Sequence, residues 1–314
     1  PRKKGNTSFL LKNFMQAVEK LGAQTRIIEV TQKNIIPCKE YVVCERKGYC
    51  PIDDDVKTEI YPLIRQAEVV VLATPIFFFN MSAQLKALVD RCQLFWARKY
   101  KLKLTDPAKK TKRGFLLAVG ASKGKSLFEG LQLTAKYFFD AIDAGFEGSL
   151  TYREIEGPKD MAKHPKVLAD IEKAAADLIG PLLNRKKILF ACRENACRSQ
   201  MAGAFAQYLA GDKFEVINGG SQPADQVDPD MVKAMHEKGI DMAYRVPQSI
   251  ESAISETAPD FIVTMGCGEE CPYVPGARML DWDLPDPAGK PPDFMRQVRD
   301  EIESNVKNLI TALA

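Results

Sequence analysis

Short β-rich runs alternate with amphipathic, helix-forming segments along the whole chain, and this alternation restricts the fold more than any other feature. The β-rich runs of the first half are Arg26–Val30, Val69–Thr74, Gly114–Gly120 and Phe146–Tyr152. The helical segments between them are Asn6–Leu21, Val56–Gln66, Ser82–Phe95, Leu127–Asp143 and Val167–Leu183. Strands that alternate with helices form a parallel sheet with helices on both faces. The first half therefore predicts an α/β fold with a doubly wound parallel sheet.

A second alternating series begins after the polar turn Asn184–Lys187. Its strand candidates are Ile188–Ala191, Phe214–Asn218 and Phe261–Thr264. Its helix candidates are Ser199–Leu209, Pro229–Lys238 and Pro292–Leu313. A chain of 314 residues is long enough for two domains of about 150 residues. We therefore expect two doubly wound parallel-sheet domains, residues 1–183 and residues 184–314.

The start of the chain departs from this pattern. Pro1–Thr7 has the composition of a loop that enters a helix, but no β-rich run precedes it. A parallel sheet that lacks a strand exposes unpaired backbone groups on its neighbour. The sequence thus predicts that a first strand is missing and that the natural chain begins about ten residues earlier.

Composition excludes several classes of function. Lys and Arg number 44 against 41 Asp and Glu, and this small excess does not call for a nucleic acid or a membrane surface as partner. The longest apolar stretch, around Val69–Phe79, is far shorter than the ~18 residues of a membrane span, and no secretory signal opens the chain. Eight cysteines are too few for a secreted disulfide scaffold. We therefore expect a cytoplasmic protein whose chemistry resides in its cysteines.

The strongest chemical signal is the strand Ile188–Ala191, which runs directly into Cys192-x5-Arg198 and then into a helix. This spacing lets the backbone curl so that successive N–H groups and the helix N-terminus point at one centre, where a tetrahedral oxyanion can bind. The Arg198 guanidinium offers a planar fork for its oxygens. The same positive field favours the thiolate of Cys192, the candidate nucleophile. Asn195 tolerates a left-handed backbone within the loop, and Ser199 can donate to the thiolate.

The strand context and the Asn195-x2-Arg198-Ser199 pattern resemble the low-molecular-weight phosphotyrosine phosphatase superfamily and, within it, the thiol-linked arsenate reductases, across residues 186–314. The resemblance implies that the substrate is arsenate or a phosphate-like oxyanion. It also implies that Asn195, Ser199, Arg193 and Glu194 bind the substrate. It assigns the role of general acid to Asp286 of an Asp-Pro pair, with Asp283 as the less favoured substitute. A carboxylic acid suits the protonation of a departing oxygen, because the only histidines are His164 and His236, which lie in polar helical stretches.

Two further cysteines separate the branches of this superfamily. The reductases carry a Cys after a strand and a Cys-Pro shortly beyond, and these positions correspond to Cys267 and Cys271. The resemblance implies a cascade in which Cys192 attacks arsenic(V), Cys267 attacks Cys192 to expel arsenite, and Cys271 takes over the disulfide. Residues four apart on a helical turn lie about 6 Å apart, which permits the last disulfide. The resolving cysteines of the best-known pattern are further apart, so direct reduction by thioredoxin or a small thiol stays open.

Other interpretations of these thiols remain open. Cys267 and Cys271 can be buried apolar residues or half of a metal clip. In a tyrosine phosphatase fused to a reductase they are incidental, and this is the alternative function. A non-enzymatic sensor of arsenite is a third hypothesis. With only two histidines in the chain, we expect no multi-histidine metal site.

Three loops of the first domain carry a different signature. They comprise a helix start with Arg2, Asn6, Thr7 and Ser8; a Pro-led aromatic loop with Pro75, Ile76, Phe77, Phe78, Asn80, Met81 and Ser82; and a loop with Ala121, Ser122, Lys123 and Gly124. A helix N-terminus can bind a phosphate, and loops at strand ends of a doubly wound sheet bind flat cofactors. Together they resemble the NAD(P)H-dependent FMN reductase and iron–sulfur flavoprotein family, with a flavodoxin-like fold, across residues 1–183. The resemblance implies that these residues bind FMN, that NADH or NADPH donates electrons, and that this domain forms a homodimer.

Members of that family often carry a four-cysteine cluster motif, and Cys38, Cys44 and Cys50 match three of its positions, with Tyr41 at the fourth. A [4Fe–4S] cluster normally takes four thiolates, so we expect no iron–sulfur cluster here. The alternative is a cysteine-bearing dimer loop. The whole sequence thus predicts an oxidoreductase, an arsenate reductase fused to an NAD(P)H-dependent flavin reductase.

Overall fold

The structure is a computed structural model that describes residues 4–255, 258–265 and 274–313. The chain divides into two compact units. The first comprises Pro1–Leu102 and Lys112–Leu183, and the second comprises Lys103–Thr111 and Asn184–Ala314. The segment Lys103–Thr111, which precedes the second strand of the first unit in sequence, therefore belongs to the second unit.

The first unit contains three strands and eight α-helices among the residues described. The strands are β1 (Val69–Pro75), β2 (Arg113–Val119) and β3 (Gly145–Tyr152). The helices are α1 (Asn6–Lys20), α2 (Val43–Lys47), α3 (Tyr61–Gln66), α4 (Ala83–Arg91), α5 (Gln93–Tyr100), α6 (Glu129–Ala141), α7 (Asp160–Lys163) and α8 (Val167–Ile179). A π-helical turn, Val56–Ile60, precedes α3. The predicted helix Ser82–Phe95 is interrupted at Cys92 and continues as α5.

The sheet of the first unit has the order β1-β2-β3, and both pairs of strands are parallel. Phe115 and Leu117 of β2 pack in one core with Phe14 of α1 and with α8, where the Phe14 and Phe115 rings stack at 5.4 Å. Gly114 lies against the Phe139 ring of α6, so the residues of β2 that alternate with Phe115 face a different helix. Helices therefore cover both faces of the sheet, as the alternation predicts.

The prediction of a strand at Arg26–Val30 is wrong. Residues 23–29 pair with no strand in the described part of the chain, and Val30–Gln32 form a 3₁₀ turn. Ile27 is exposed, so this segment lacks the burial on both faces that an interior parallel strand has. An apolar, β-branched run becomes a strand only where a neighbour accepts its hydrogen bonds.

The second unit contains four strands and four α-helices among the residues described. The strands are β4 (Lys186–Cys192), β5 (Phe214–Gly220), β6 (Phe261–Thr264) and β7 (Arg278–Asp281). The helices are α9 (Arg198–Ala210), α10 (Pro229–His236), α11 (Ile250–Ile254) and α12 (Pro292–Leu313). The sheet is parallel throughout, with the order β5-β4-β6-β7.

Strand β4 is central, and both of its faces are buried. Ile188, Phe190 and Cys192 face the core formed with α9, α10 and α12. Leu189 and Ala191 face a smaller core with Ile250 of α11 and with β6. A strand buried on both faces is apolar without alternation, which explains the run Ile188–Ala191. No helix of the described residues is long and apolar enough to cross a membrane.

Candidate active site

Cys192 is the last residue of the central strand β4, and Arg198 is the first residue of α9. Residues 193–197 thus join the carboxyl end of a parallel strand to a helix N-terminus, the edge at which doubly wound sheets bind ligands. The N-cap residue of α9 is Cys197, and its side chain makes no capping hydrogen bond. The N–H groups of the first turn are therefore not occupied by a cap and can serve an anion.

Carbonyl groups in and beside this loop face the segment that follows β5. The carbonyls of Cys192, Arg193, Glu194 and Ala196 accept hydrogen bonds from the amides of Ser221, Gln222, Ala224 and Asp228 at 3.3, 2.8, 2.9 and 2.9 Å. A loop whose carbonyls are engaged on one side presents its amides on the other. The backbone therefore has the polarity that an oxyanion requires.

Gly220 at the end of β5 permits this close approach. A Cβ at this position would lie 2.7 Å from the Arg193 carbonyl oxygen and 2.8 Å from the Asn195 nitrogen. Both distances are shorter than real Cβ contacts, and both neighbours are backbone atoms that cannot turn aside. Sequence reasoning missed this residue, although a Gly-Gly pair at the end of a strand signals a close backbone contact.

Asn195 holds the loop from within. Its φ is +50°, and it is completely buried. Its Oδ1 accepts from the Gln248 amide at 3.0 Å and from Gln200 Nε2 at 3.1 Å, and its Nδ2 donates to Ser199 Oγ at 2.8 Å. Asn is one of the few residues with a side chain that tolerates this backbone conformation. The contacts to Gln200 and Gln248 have no signal in the local sequence.

The Cys192 sulfur lies 3.0 Å from Ser199 Oγ, and only 3% of Cys192 is exposed. Either atom of this pair can be the donor by distance alone. Because Ser199 Oγ already accepts from Asn195, its own hydrogen is available for the sulfur. The structure thus brings Cys192, Asn195 and Ser199 together, as their spacing predicts.

Arg198 connects the loop to the segment after β7. Its Nη1 donates to the Leu284 carbonyl at 3.0 Å, and its Nη2 donates to Asp286 Oδ2 at 3.0 Å. The guanidinium is buried, whereas 58% of the Asp286 side chain is exposed. An acid that contacts Arg198 and also reaches solvent can exchange a proton at this edge of the sheet. The substitute candidate, Asp283, is exposed.

Arg193 and Glu194 lie at the rim. Both residues are exposed. Arg193 donates from Nε and Nη2 to Gln222 Oε1 at 3.1 and 3.0 Å. This pairing directs the Arg193 side chain along the segment after β5.

Cys197 is buried, and its sulfur lies 3.6 Å from the Met295 sulfur. Burial, together with the charge of Asp228, raises the pKa of the Cys197 thiol well above its usual range. A neutral thiol in an apolar core packs as a small hydrophobic residue. Cys267 and Cys271 lie outside the described residues.

In the first unit, Arg2 also lies outside the described residues. The Asn6 side chain accepts from the Met161 amide at 3.2 Å and donates to the Gly157 carbonyl at 2.9 Å. These partners follow β3, so the start of α1 lies at the carboxyl edge of the sheet. Thr7 and Ser8 are half-buried in the first turn of α1.

The aromatic loop leaves the same edge after β1. Phe77 and Asn80 exchange backbone hydrogen bonds of 2.9 and 3.0 Å, and the two residues between them, Phe78 and Phe79, have φ of +47° and +61°. Such a turn normally uses Asn or Gly, because bulky residues are strained at positive φ. Phe78 is fully exposed, and Phe77 and Phe79 are at least half exposed.

The rest of this loop is fixed by polar contacts. Asn80 Nδ2 donates to Thr134 of α6 at 3.0 Å, and Ser82 N donates to Thr74 Oγ1 at 3.2 Å. Pro75 ends β1, Ile76 donates its amide to the Val119 carbonyl at 2.9 Å, and Met81 is buried. The prediction of a loop at a strand end thus agrees with its position.

The third loop, with Ala121, Ser122, Lys123 and Gly124, is exposed beyond the end of β2. Lys123 pairs with Glu154 at 3.2 Å. A flat aromatic group with a phosphate tail needs an uncovered apolar surface and anion-binding groups at one sheet edge. The exposed phenylalanines, the helix start and this loop satisfy that requirement, so the residues present fit FMN.

The three cysteines after α1 have different surroundings. Cys38 is exposed, whereas Cys44 and Cys50 are half-buried. The Cys50 sulfur accepts a hydrogen bond of 3.4 Å from Arg91 Nη2. Burial, with the nearby Cys50 and Cys38 charges, raises the pKa of the Cys44 thiol. Within the ranges that the structure covers, no group of three or more His, Cys, Asp or Glu residues is arranged to hold a metal ion.

Two protein families match different parts of the chain. Residues 187–314 match the low molecular weight phosphotyrosine protein phosphatase family, and residues 1–142 match the NADPH-dependent FMN reductase family. Arsenate reductase 1 of Bacillus cereus is 38% identical over 128 residues, which cover 40% of this chain and 93% of that protein. The glutaredoxin arsenate reductase of Synechocystis is 34% identical over 131 residues, 41% of this chain and 99% of that protein.

Among solved structures, a thioredoxin-dependent arsenate reductase of Corynebacterium glutamicum matches with 30% identity and a TM-score of 0.37, over 48% of this chain and 76% of that chain. The family matches and the sequence relatives show that the chain belongs to the low molecular weight phosphotyrosine protein phosphatase family, in its arsenate reductase branch, and that it carries an NADPH-dependent FMN reductase domain in its N-terminal half.

Proposed function

We propose that the second unit reduces arsenate to arsenite, which makes the chain an oxidoreductase. The observation that carries this proposal is the loop 193–197, which has its carbonyls engaged outward between the Cys192 sulfur and the Arg198 guanidinium. Arsenate is a tetrahedral oxyanion that such a loop can bind through amides. The matched relatives are named arsenate reductases, which selects this activity among those of the family.

The first step is nucleophilic attack. The Cys192 thiolate, which accepts a hydrogen bond from Ser199, forms a sulfur–arsenic bond while an arsenic–oxygen bond breaks. Asp286 donates a proton to the departing oxygen, which leaves as water. Arg198 binds two of the remaining oxygens as a planar fork. The oxyanion replaces Asp286 on the guanidinium, so the acid remains beside the oxygen that departs.

The second step transfers two electrons to arsenic. The Cys267 thiolate attacks the Cys192 sulfur, and the sulfur–arsenic bond breaks with its electron pair remaining on arsenic. Arsenite is released, and a Cys192–Cys267 disulfide forms. Cys271 then attacks Cys267, which frees Cys192 and leaves a Cys267–Cys271 disulfide. These two roles rest on the family resemblance. An external thiol, from thioredoxin, glutaredoxin or a small molecule, reduces the final disulfide. We propose that the protein is cytoplasmic, because the reducing cytoplasm supplies such thiols.

The test compares three variants for arsenite formed per protein chain with a thiol reductant present. Cys192→Ser should form none. Cys267→Ser should form no more than about one equivalent, because the adduct lacks its internal attacking thiol. Cys38→Ser, which replaces an exposed thiol of the other unit, should match the unmodified protein.

Hydrolysis of p-nitrophenyl phosphate by the same variants separates this function from that of a tyrosine phosphatase. Hydrolysis should survive Cys267→Ser, because it needs only Cys192, Arg198 and Asp286. Arsenite formation by Cys267→Ser at the rate of the unmodified protein would exclude the cascade.

We propose further that the first unit binds FMN and uses NADPH or NADH as electron donor. The matched family and the exposed aromatic loop support this assignment. Thr7, Ser8 and the first turn of α1 would hold the phosphate, with Arg2 and Asn6 beside it. Phe77, Phe78 and Asn80 would lie along the ring system, and residues 121–124 would close the far side. Bound FMN supplies hydride acceptance and electron transfer. We also propose a homodimer through this unit.

Covalent linkage raises the effective concentration of one unit for the other, so we propose that electrons from NADPH support the arsenate reaction. The test measures arsenite formed with FMN and NADPH but without added thioredoxin or thiol. Sustained turnover is the expected result. Turnover only after a thiol is added would show that the donor is external.

A further inference from the structure

A row of hydrogen bonds connects the Cys192 sulfur to the Arg245 guanidinium. Ser199 Oγ lies 3.0 Å from the sulfur, and Asn195 Nδ2 donates to it at 2.8 Å. Gln200 Nε2 donates to Asn195 Oδ1 at 3.1 Å, and Arg245 Nη1 donates to Gln200 Oε1 at 3.4 Å. Arg245 lies between α10 and α11 and is distant from the loop in sequence.

The direction of this row is fixed by groups that can only donate. The Gln248 backbone amide donates to Asn195 Oδ1 at 3.0 Å, so this atom is the amide oxygen and Nδ2 must face Ser199. The Arg245 guanidinium has no acceptor, so the Gln200 atom that faces it is Oε1 and its Nε2 faces Asn195. Every link therefore donates toward Cys192.

The row lies in the protein interior. Gln200, Asn195 and Ser199 are each at most 2% exposed, and Arg245 is half-buried. Buried hydrogen bonds that point in one direction polarise one another, and each becomes a better donor than it would be alone. The guanidinium also donates to Gln207 Oε1, which fixes it against α9 through a second glutamine.

We propose that Arg245 is a positioning residue that acts through Gln200 and Asn195 to direct the Ser199 hydrogen at Cys192 and to stabilise the thiolate. The proposal rests on the proposed function only in taking Cys192 as the nucleophile. Other charged and titratable groups also face this region. They are Arg198 of α9, Cys197 of the loop, Asp286 after β7 and Asp228 before α10. None of these is altered in the variants below.

The test follows alkylation of Cys192 by iodoacetamide between about pH 5 and pH 9, because the thiolate is the reactive form. Trypsin releases Cys192 on the peptide of residues 188–193 and Cys197 on the peptide of residues 194–198, each with one cysteine. Cys197 is buried in the same unit and burial raises the pKa of its thiol, so this peptide reports unfolding of the second unit when it becomes labelled. No arsenate is present, so failure of the reductase assay leaves this measurement intact.

Arg245→Met and Gln200→Met should each move the midpoint of the alkylation profile upward by about one pH unit, which is a tenfold loss of thiolate at a fixed lower pH. The double variant should move it no further, since both changes cut the same row. Arg245→Lys keeps the cation and should restore part of the shift. Arg296→Met, which removes a positive charge from the exposed face of α12, should leave the profile in place.

A profile of Arg245→Met that coincides with that of the unmodified protein would overturn the proposal. So would an equal shift in Arg296→Met, which would show a general charge effect. If Arg245→Met exposes Cys197, the comparison of Gln200→Met with Arg245→Lys decides the question. An unshifted Gln200→Met then overturns the proposal, and a shift larger than that of Arg245→Lys supports it.

Discussion

Replacement of Asn195 separates the backbone contribution of this residue from the contribution of its side chain. Asn195 is completely buried, has a φ of +50°, and makes three side-chain hydrogen bonds. Asn195→Gly removes the side chain but permits the backbone conformation. Asn195→Ala removes the same bonds and places a Cβ in the left-handed region.

The structure gives the size of each effect. Loss of Oδ1 leaves the buried Gln200 amide without this acceptor, and an unsatisfied buried donor costs about 1–3 kcal/mol. The Gln248 amide is only partly buried, so water can replace its partner at about 1 kcal/mol. Asn195→Gly should therefore lower the free energy of unfolding by about 2–4 kcal/mol. Asn195→Ala should lower it by about 1–2 kcal/mol more.

Tryptophan fluorescence can follow the second unit alone. The chain has two tryptophans, and Trp282 packs near the Phe190 ring at 5.9 Å. A Trp96→Phe background leaves Trp282 as the reporter during urea unfolding. Asn195→Ala within about 0.5 kcal/mol of the parent protein would refute the burial argument. Asn195→Ala more stable than Asn195→Gly would refute the backbone argument.

Three other variants test separate parts of the structure. Asp286→Asn should lower the turnover number for arsenate by about 10²–10⁴-fold, and an unchanged steady-state rate would show that another group donates the proton. Gly220→Ala should weaken phosphate binding in calorimetry and lower the melting temperature, whereas Gly180→Ala, where a Cβ meets nothing within 4 Å, should change neither. Hydrogen bonds from Arg296 and a second arginine lower the pKa of Glu237 to about 2. Glu237→Gln should therefore be less stable at pH 7, and the difference should shrink progressively as the pH falls from about 4.5 through about 2; a difference at pH 2 as large as that at pH 7 would contradict this assignment.

The sequence predicts features that depend on neighbouring residues. The apolar run Ile188–Ala191 identifies a strand buried on both faces, and the Cys192-x5-Arg198 spacing identifies the loop that follows it. The positive φ of Asn195 and the contact of Ser199 with the sulfur also follow from local spacing. Each of these features involves residues that are close together in the chain, so the local sequence is enough to predict it.

Features that depend on distant partners could not be predicted. Arg26–Val30 has the composition of a strand but no strand beside it in the described structure. Thr105 forms a parallel bridge with Ile240, so the segment Lys103–Thr111 belongs to the second unit although the elements before and after it in sequence belong to the first. Gln248 contacts Asn195 of the loop and Arg245 contacts Gln200 of α9, each from more than 40 residues away. Such contacts are set by tertiary packing, which a single sequence does not display.

We expect the loop after β4 to hold a tetrahedral oxyanion between its amides, the Arg198 guanidinium and the atom at position 192. A crystal structure of Cys192→Ser with arsenate shows whether it does. We expect arsenate oxygens within hydrogen-bond distance of the amides of residues 193–198 and of the guanidinium, with arsenic facing the serine oxygen. Arsenate bound elsewhere, or loop amides that turn away from it, would show that this loop is not the oxyanion site.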